Sequence, residues 1–137
     1  MYKSIVYHLF NNSVKYSNFQ GFIKISVDYQ QARESRDAGD EPLGFLVTTI
    51  SDSGSGIDQA TMRKICQTLV EGRDRSRYTL GSGIKTAHEL CEWMNGGLVI
   101  FSEPDQGCVV KFKVAASHKA TSIFKSGKNS TMRVDLH

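Results

Sequence analysis

The spacing of apolar residues along the chain predicts three amphipathic helices. Residues 3–16 gather their apolar side chains on one broad face of a helical wheel. A second helical pattern follows Asp58, a suitable N-cap, and a third ends at the sequence NGG of residues 95–97. The apolar positions are Ile5, Val6, Leu9, Phe10, Val14 and Tyr16 in the first helix, Met62, Ile65, Cys66, Leu69 and Val70 in the second, and Ile84, Ala87, Leu90, Cys91 and Met94 in the third.

Four further segments have the patterns of β-strands. Residues 22–29 alternate between apolar and polar side chains, which predicts a strand with one buried face. Residues 43–51 are apolar on both faces, as in a central strand that is covered on both sides. Residues 98–102 and 108–115 flank the turn-forming sequence PDQG and predict a hairpin. The predicted order is helix, two strands, helix, loop, helix and two strands.

The chain divides into one domain and a tail. Its 137 residues are enough for one ordinary hydrophobic core and too few for two. The periodic patterns lie within residues 1–116, where the polar residues 30–42 predict an exposed loop. Residues 117–137 are rich in Ser and Lys with isolated Ile123 and Phe124, which indicates a flexible basic tail or linker.

Composition and charge narrow the class of protein. Hydrophobic residues make up 39% and charged residues 23%, as in soluble globular domains. The net charge of +3 belongs to the tail, because residues 1–116 hold equal numbers of basic and acidic groups. A neutral folded part without a basic stripe argues against a nucleic-acid partner. The three cysteines lack zinc-site spacing, and we expect all of them to be reduced.

The sequence also lacks membrane and export signals. No apolar run approaches the roughly 20 residues that cross a bilayer, and the N-terminus turns polar too soon for a signal peptide. We therefore expect a cytoplasmic segment with no direct membrane contact, or the cytoplasmic part of a membrane-bound sensor.

The most informative motif is DSGSGI at residues 52–57, which directly follows a buried strand. Glycines at alternate positions allow positive φ and let a ligand approach the backbone closely. The carboxylate of Asp52 can accept a hydrogen bond from an amino group such as that of adenine. The alternative is a plain glycine-rich turn, since D-x-G-x-G arises by chance in roughly 3% of chains of this length.

Three more motifs accompany it in a specific order. HLFNNSVKYS lies upstream, LGSGIKTAHELCEWMNGG lies downstream, and SEPDQG follows as a hairpin. Together they resemble the catalytic and ATP-binding domain of sensor histidine kinases, in the GHKL ATPase superfamily shared with gyrase. The resemblance covers residues 3–115 and implies a two-layer α/β sandwich, with a mixed, mostly antiparallel sheet and three helices on one face. It also implies that the chain starts inside the domain.

The resemblance assigns the phosphate end of a nucleotide site to the first helix. Asn12 matches the asparagine that binds Mg²⁺ between the phosphates, and an amide oxygen is a suitable ligand for this hard cation. Lys15 would contact the phosphates as a point charge. His8, one turn before Asn12, matches a polar residue that orients the transferring group. A solvated histidine on a helix face is an equally good interpretation of His8.

The glycine boxes of the family are carried over in the same way. Asp52 corresponds to the acid that binds adenine, and the loop around it supplies Gly54, Gly56 and Ile57. Cys108 stands where relatives place a Ser or Thr that faces adenine. The second box corresponds to Gly81, Ser82 and Gly83 at the start of the third helix, where exposed amides favour an anion.

Several residues depart from the family pattern and leave phosphate closure open. Thr79 replaces a glycine before Gly81, Lys85 replaces a small residue after the box, and the segment 70–80 that forms the lid is short. Cys66 and Leu69 stand in place of the phenylalanines of another family motif. Three arginines of the lid either bind phosphate or form a solvated charge run, which is the commoner case; they are Arg73, Arg75 and Arg77.

The resemblance implies a protein histidine kinase that binds ATP and Mg²⁺. It would deliver the γ-phosphate to a histidine on a separate dimerisation domain, which in turn serves a response regulator. This chain contains no such acceptor helix pair, so activity of the segment alone is not expected. The alternative is a catalytically degenerate regulatory or docking module, which the altered boxes favour. A serine kinase of the anti-sigma-factor type is disfavoured by the SEP hairpin.

Overall fold

The computed structural model describes residues 1–31, 44–71, 82–116 and 130–136. Within them the predicted order of helices and strands is confirmed, and one further strand follows. The loop proposed for residues 30–42, the lid with its arginines, Thr79, Ile123 and Phe124 lie wholly or largely outside the described residues. The elements are α1 Tyr2–Tyr16, β1 Phe22–Gln31, β2 Gly44–Asp52, α2 Gln59–Glu71, α3 Ser82–Trp93, β3 Gly97–Ser102, β4 Cys108–Ala116 and β5 Ser130–Asp135.

The five described strands form one sheet in the order β3-β4-β2-β1-β5. All four pairings between them are antiparallel, in line with the mostly antiparallel sheet that was expected. The α/β class and the helical layer are confirmed. β2 is the central strand, as its two apolar faces predicted, with β1 on one side and β4 on the other. Its last residue, Asp52, pairs with Ile23 of β1 and with Cys108 of β4.

The core lies between one face of this sheet and the helices α1 and α3. Ile5 and Leu9 of α1 are fully buried against Phe112 of β4, and Ala87 and Cys91 of α3 complete the contact. α2 contacts α3. Burial of these side chains is the main favourable contribution to folding, at roughly 1.5–3 kcal/mol for each large one.

The buried face of α1 is narrower than the helical wheel predicted. Ile5, Leu9 and Ser13 are buried at intervals of four residues, so they form one line along the helix. Val14 and Tyr16 were expected on the buried face, but they are 45% and 52% exposed. The wheel ranks residues by polarity alone, whereas burial depends on which side of α1 contacts α3 and the sheet, and the small Ser13 lies on that buried side.

Residues 130–136 correct the expectation of a flexible tail over 117–137. Ser130–Asp135 pair with β1 from Val27 back to Phe22, and the Leu136 amide donates to the Gly21 carbonyl at 2.8 Å. Leu136 packs against the core, and the Arg133 guanidinium lies 4.4 Å from the centroid of the Phe22 ring. Alternating Met132, Val134 and Leu136 carried the strand signal, which the surrounding Ser- and Lys-rich composition obscured.

We expect Leu136→Ala to lower the free energy of unfolding by about 1–2 kcal/mol, because the side chain is partly buried against the core. Met132→Ala is the matched control on the same strand, since Met132 is 57% exposed. It should change stability by less than about 0.5 kcal/mol. Thermal unfolding followed by circular dichroism measures both. Equal stability of the two variants would show that the Leu136 side chain contributes nothing to the core.

Candidate functional site

A cavity of about 180 Å³ opens where α1, the end of β2 and the beginnings of α2 and α3 meet. Its walls are mostly apolar, and a few polar groups face into it. The side chains and backbone that line it belong to Leu9, Asn12, Ser13, Tyr16, Asp52, Gly56, Ile57, Asp58, Thr61, Ile65, Ile84, Cys108 and Val110. Asn12, Asp52, Gly56, Ile57 and Cys108 were proposed from the sequence, and the fold brings them to one place.

Asp52 is a buried polar residue of the cavity wall, as is Ser13, and 9% of its surface is exposed. Its Oδ1 accepts hydrogen bonds from the Gly54 amide at 3.0 Å and from the Cys108 amide at 3.2 Å. Two backbone donors therefore fix the orientation of the carboxylate. Oδ2 has no partner in the described part of the chain, which leaves an acceptor available to a ligand in the cavity.

The glycines of the loop permit close backbone contacts. A Cβ on Gly54 would collide with the carbonyl oxygen of Tyr16, at the end of α1. Gly56 has φ of +69°, and a Cβ there would overlap the Glu103 carbonyl of the β3–β4 hairpin. Glycine is thus required at both positions, because a side chain would push apart the segments that frame the cavity.

Cys108 contributes a neutral thiol to the wall of the cavity. Burial, and to a lesser extent the neighbouring negative charge of Asp52, raises the pKa of this thiol to about 11. The nearby Ser102 side chain partly opposes this rise in pKa. Because the pKa is far above 7, the thiol is protonated at neutral pH, and it is a poor nucleophile there.

Asn12 lies beside the beginning of α3. A Cβ placed on Gly83 would be 3.3 Å from both terminal atoms of the Asn12 amide, so glycine lets the first turn of α3 approach α1 closely. The Asn12 amide makes no hydrogen bond within the described residues. Ser82 is exposed as the first residue of α3. Gly81, the first glycine of the proposed second box, lies outside the described residues.

Two predicted residues of α1 do not line the cavity. His8 is partly buried one turn before Asn12, with its ring edge-on to that of Tyr7 at 5.7 Å. Lys15 is exposed, and its Nζ lies 5.0 Å from the centroid of the Tyr16 ring. Lys85 replaces a small residue of the family pattern after the second glycine box. Its Nζ lies 4.0 Å from Oε1 of Glu89 on the same helix. Neither His8 nor Lys15 therefore contacts the cavity.

Several residues that line the cavity were not predicted from the sequence. Asp58 caps α2 as predicted, since its carboxylate accepts from the Thr61 amide at 3.0 Å and from the Thr61 hydroxyl at 2.6 Å. These bonds lower the pKa of Asp58. The capping pattern in the sequence did not indicate that Asp58 and Thr61 also border a cavity. Ile65 and Ile84 were recognised only as apolar positions of helices.

Comparison with known proteins identifies the family. The family described as histidine kinase-, DNA gyrase B-, and HSP90-like ATPase matches residues 2–118. The chain belongs to this family. The match confirms the resemblance that the motifs indicated.

Similarity to individual proteins is found among solved structures. A search of functionally curated proteins finds no match. Among solved structures, the chain is similar to the histidine kinase domain of the blue-light activated histidine kinase from Erythrobacter litoralis. The two share 16% sequence identity with a TM-score of 0.45, and the alignment covers 81% of this chain and 41% of that chain.

Two structural properties of this ATPase-family chain bear on ligands and membranes. The described residues contain no group of three or more His, Cys, Asp or Glu side chains that could hold a metal ion by themselves. None of the helices in the described part is long and apolar enough to cross a membrane.

We expect Gly107→Ala to destabilise the domain by at least about 2 kcal/mol. Gly107 has φ of +78°, and a Cβ there would collide with the Asp52 carbonyl, so the variant suffers both backbone strain and overlap. Gly97→Ala is the control, because a Cβ on Gly97 meets no atom within 4 Å. Its stability should change by less than about 1 kcal/mol in urea unfolding. Similar midpoints for both variants would contradict this account of the hairpin.

Proposed function

We propose that the cavity binds the adenine base of ATP and that Asp52 recognises the exocyclic amino group. The arrangement of the Asp52 carboxylate carries this proposal. Its Oδ1 is fixed by two backbone amides, and its Oδ2 remains available as an acceptor at the wall of the cavity. An amino group supplies the donor that such an acceptor needs, whereas the carbonyl oxygen of guanine would face it unfavourably.

The apolar walls of the cavity support the same ligand. Leu9, Ile65 and Ile84 come from the three helices, and Ile57 and Val110 from the loop and from β4. A flat heteroaromatic ring gains contact and hydrophobic stabilisation between such side chains. The neutral Cys108 thiol adds a polarisable surface without a charge that would need compensation.

The phosphates would extend from the cavity toward Asn12 and the beginning of α3. Amides at the start of a helix favour an anion, and Gly83 allows this turn to lie next to Asn12. The Asn12 amide oxygen fits Mg²⁺ as a single hard ligand, with phosphate oxygens and water supplying the remaining positions. Bound Mg²⁺ would neutralise phosphate charge. Ser82 and Gly83 would supply backbone contacts, and Lys15 would swing from Tyr16 to add a positive charge.

The reaction we propose is transfer of the γ-phosphate to a histidine of a separate dimerisation domain. The acceptor imidazole nitrogen forms a bond to the γ-phosphorus, the bond from that phosphorus to the β–γ bridging oxygen breaks, and ADP leaves. This chain contributes by positioning and electrostatics, with Asn12 holding the metal and His8 beside the transferred group. A response regulator would then receive the phosphoryl group, and the cytoplasm would be the compartment.

A catalytically degenerate docking module is the second candidate. The positions of His8 and Lys15 favour it, because neither side chain lines the cavity and Lys15 contacts the Tyr16 ring. In that case the base would still bind, and the domain would signal occupancy without transferring phosphate. Dependence of binding on Mg²⁺ separates the two candidates.

We expect Asp52→Asn to weaken binding of ATP and of adenosine by about 1.5–3 kcal/mol, the usual contribution of a hydrogen bond to a charged group. The asparagine can keep its oxygen on the two backbone amides, but its NH₂ then faces the amino group of the base. Isothermal titration calorimetry measures the loss, and circular dichroism confirms the fold.

Asp28→Asn is the matched control for this substitution, because Asp28 lies on β1 away from the cavity. The Asp28→Asn variant should bind ATP and adenosine as tightly as the unmodified protein does. If Asp52→Asn binds adenosine as tightly as Asp28→Asn does, the carboxylate does not recognise the base.

We expect Mg²⁺ to tighten ATP binding in the unmodified protein, and this gain to shrink in Asn12→Ala. The substitution removes the amide oxygen, which is the proposed protein ligand of the Mg²⁺ ion bound to the phosphates. Asn11→Ala is the control, since Asn11 is an exposed neighbour that does not line the cavity. Titrations with and without Mg²⁺ give the ratio of affinities for each protein.

Adenosine separates the metal from the base in the same experiment. It has no phosphates, so its affinity should depend neither on Mg²⁺ nor on Asn12, while it should still depend on Asp52. Equal ATP affinity with and without Mg²⁺ in the unmodified protein would reject the kinase and leave the docking module.

A further inference from the structure

Ser102 connects two walls of the cavity although it does not line the cavity itself. Its Oγ accepts a hydrogen bond from the Ile57 amide at 2.9 Å and donates one to the Gly107 carbonyl at 2.7 Å. A hydroxyl has one hydrogen to donate, so the bond to Gly107 uses its donor completely. Ile57 and the residue after Gly107, Cys108, both line the cavity.

The Ile57 amide depends on this hydroxyl. Ile57 follows the positive φ of Gly56 and precedes α2, which begins at Gln59, so it lies between regular elements. No backbone carbonyl of the described residues accepts from its amide. Without the Ser102 hydroxyl, the Ile57 amide must either remain without a hydrogen-bond acceptor or move toward water. Movement toward water displaces the Ile57 side chain from the cavity wall.

Other contacts also hold the same loop against the hairpin. The Asp105 amide donates to the Ser55 carbonyl at 2.8 Å, and Gly56 lies against the Glu103 carbonyl. These contacts keep the loop and hairpin together when the hydroxyl is removed, so the fold should survive. The Ser102 bond is the one that fixes Ile57, a residue of the cavity wall, and it therefore controls cavity shape more than global stability.

We propose that Ser102 is a positioning residue for the nucleotide base, a role that rests on the proposed function of the cavity. It sets the spacing between Ile57 and Cys108 and so keeps the cavity at the width of a flat ring. Its hydrogen bond to the Gly107 carbonyl also fixes the peptide group between Gly107 and Cys108, and the Cys108 amide in turn orients Asp52. Because Ser102 lies at the base end, it should affect adenosine binding and leave the contribution of Mg²⁺ unchanged.

The test compares adenosine and ATP binding in Ser102→Ala by calorimetry, with and without Mg²⁺. We expect the affinity for both ligands to fall by roughly tenfold, which is comparable to the net contribution of a single hydrogen bond, and the Mg²⁺-dependent ratio for ATP to stay within about twofold. Ser102→Thr keeps the hydroxyl and should bind within about threefold of the unmodified protein. Thr68→Ala removes a hydroxyl that donates to the Lys64 carbonyl at 2.9 Å on α2, away from the cavity, and should bind normally.

Each outcome decides the proposal. Unchanged adenosine affinity in Ser102→Ala, or an equal loss in Ser102→Thr, overturns it, because the hydroxyl would then be irrelevant. If Ser102→Ala loses both adenosine affinity and the gain in ATP affinity from Mg²⁺, the proposal is overturned in favour of a general structural role for Ser102. If Ser102→Ala does not fold, Ser102→Cys replaces it, and affinity equal to that of the unmodified protein again overturns the proposal. Failure of the unmodified protein to bind adenosine rejects the proposed function as well.

Discussion

Direct contact between backbone segments at the end of β2 is the constraint on which the site depends. The loop after Asp52 touches the Tyr16 carbonyl at Gly54 and the Glu103 carbonyl at Gly56, and the hairpin touches the Asp52 carbonyl at Gly107. No side chain fits into any of these contacts. Glycine therefore allows three segments that are distant in sequence to enclose one carboxylate, and the backbone amides at the junction become its hydrogen-bond donors.

The sheet register determines which way this carboxylate points. Asp52 shares a face of β2 with the buried Thr48 and Ile50, and Ile50 pairs with Val110 of β4. A shift of one residue would turn Thr48, Ile50 and Asp52 to the opposite face of the sheet, so core packing fixes the register. Thr48 tolerates full burial because its hydroxyl is hydrogen-bonded to the Tyr2 hydroxyl at 2.7 Å. The chemistry of the site is thus controlled by the packing of α1 and α3 on the sheet.

The two ends of the site differ in how they are built. At the Asp52 end, the carboxylate of Asp52, the Cys108 amide and the Ser102 hydroxyl form a connected set of hydrogen bonds on strands and a short loop. At the Asn12 end, Asn12 of α1 lies against Gly83 of α3, and the Asn12 amide makes no hydrogen bond within the described residues. Under the proposed function, this difference suits recognition of the base before the phosphates are arranged.

The sequence by itself determined the succession of helices and strands, the central place of β2 and the family, because these depend on local periodicity and on short motifs with fixed spacing. It also identified Asp52 and the glycines, whose conformational roles are local. It could not place β5, because a six-residue edge strand has too few periodic positions to stand out from a polar composition. Nor could it assign Ser102, Thr61 or Ile65 to the site, or remove Val14 and Tyr16 from the buried face of α1. Only the tertiary structure decided these, since they depend on how the hairpin, the loop and the helices meet, and such contacts join residues far apart in the chain.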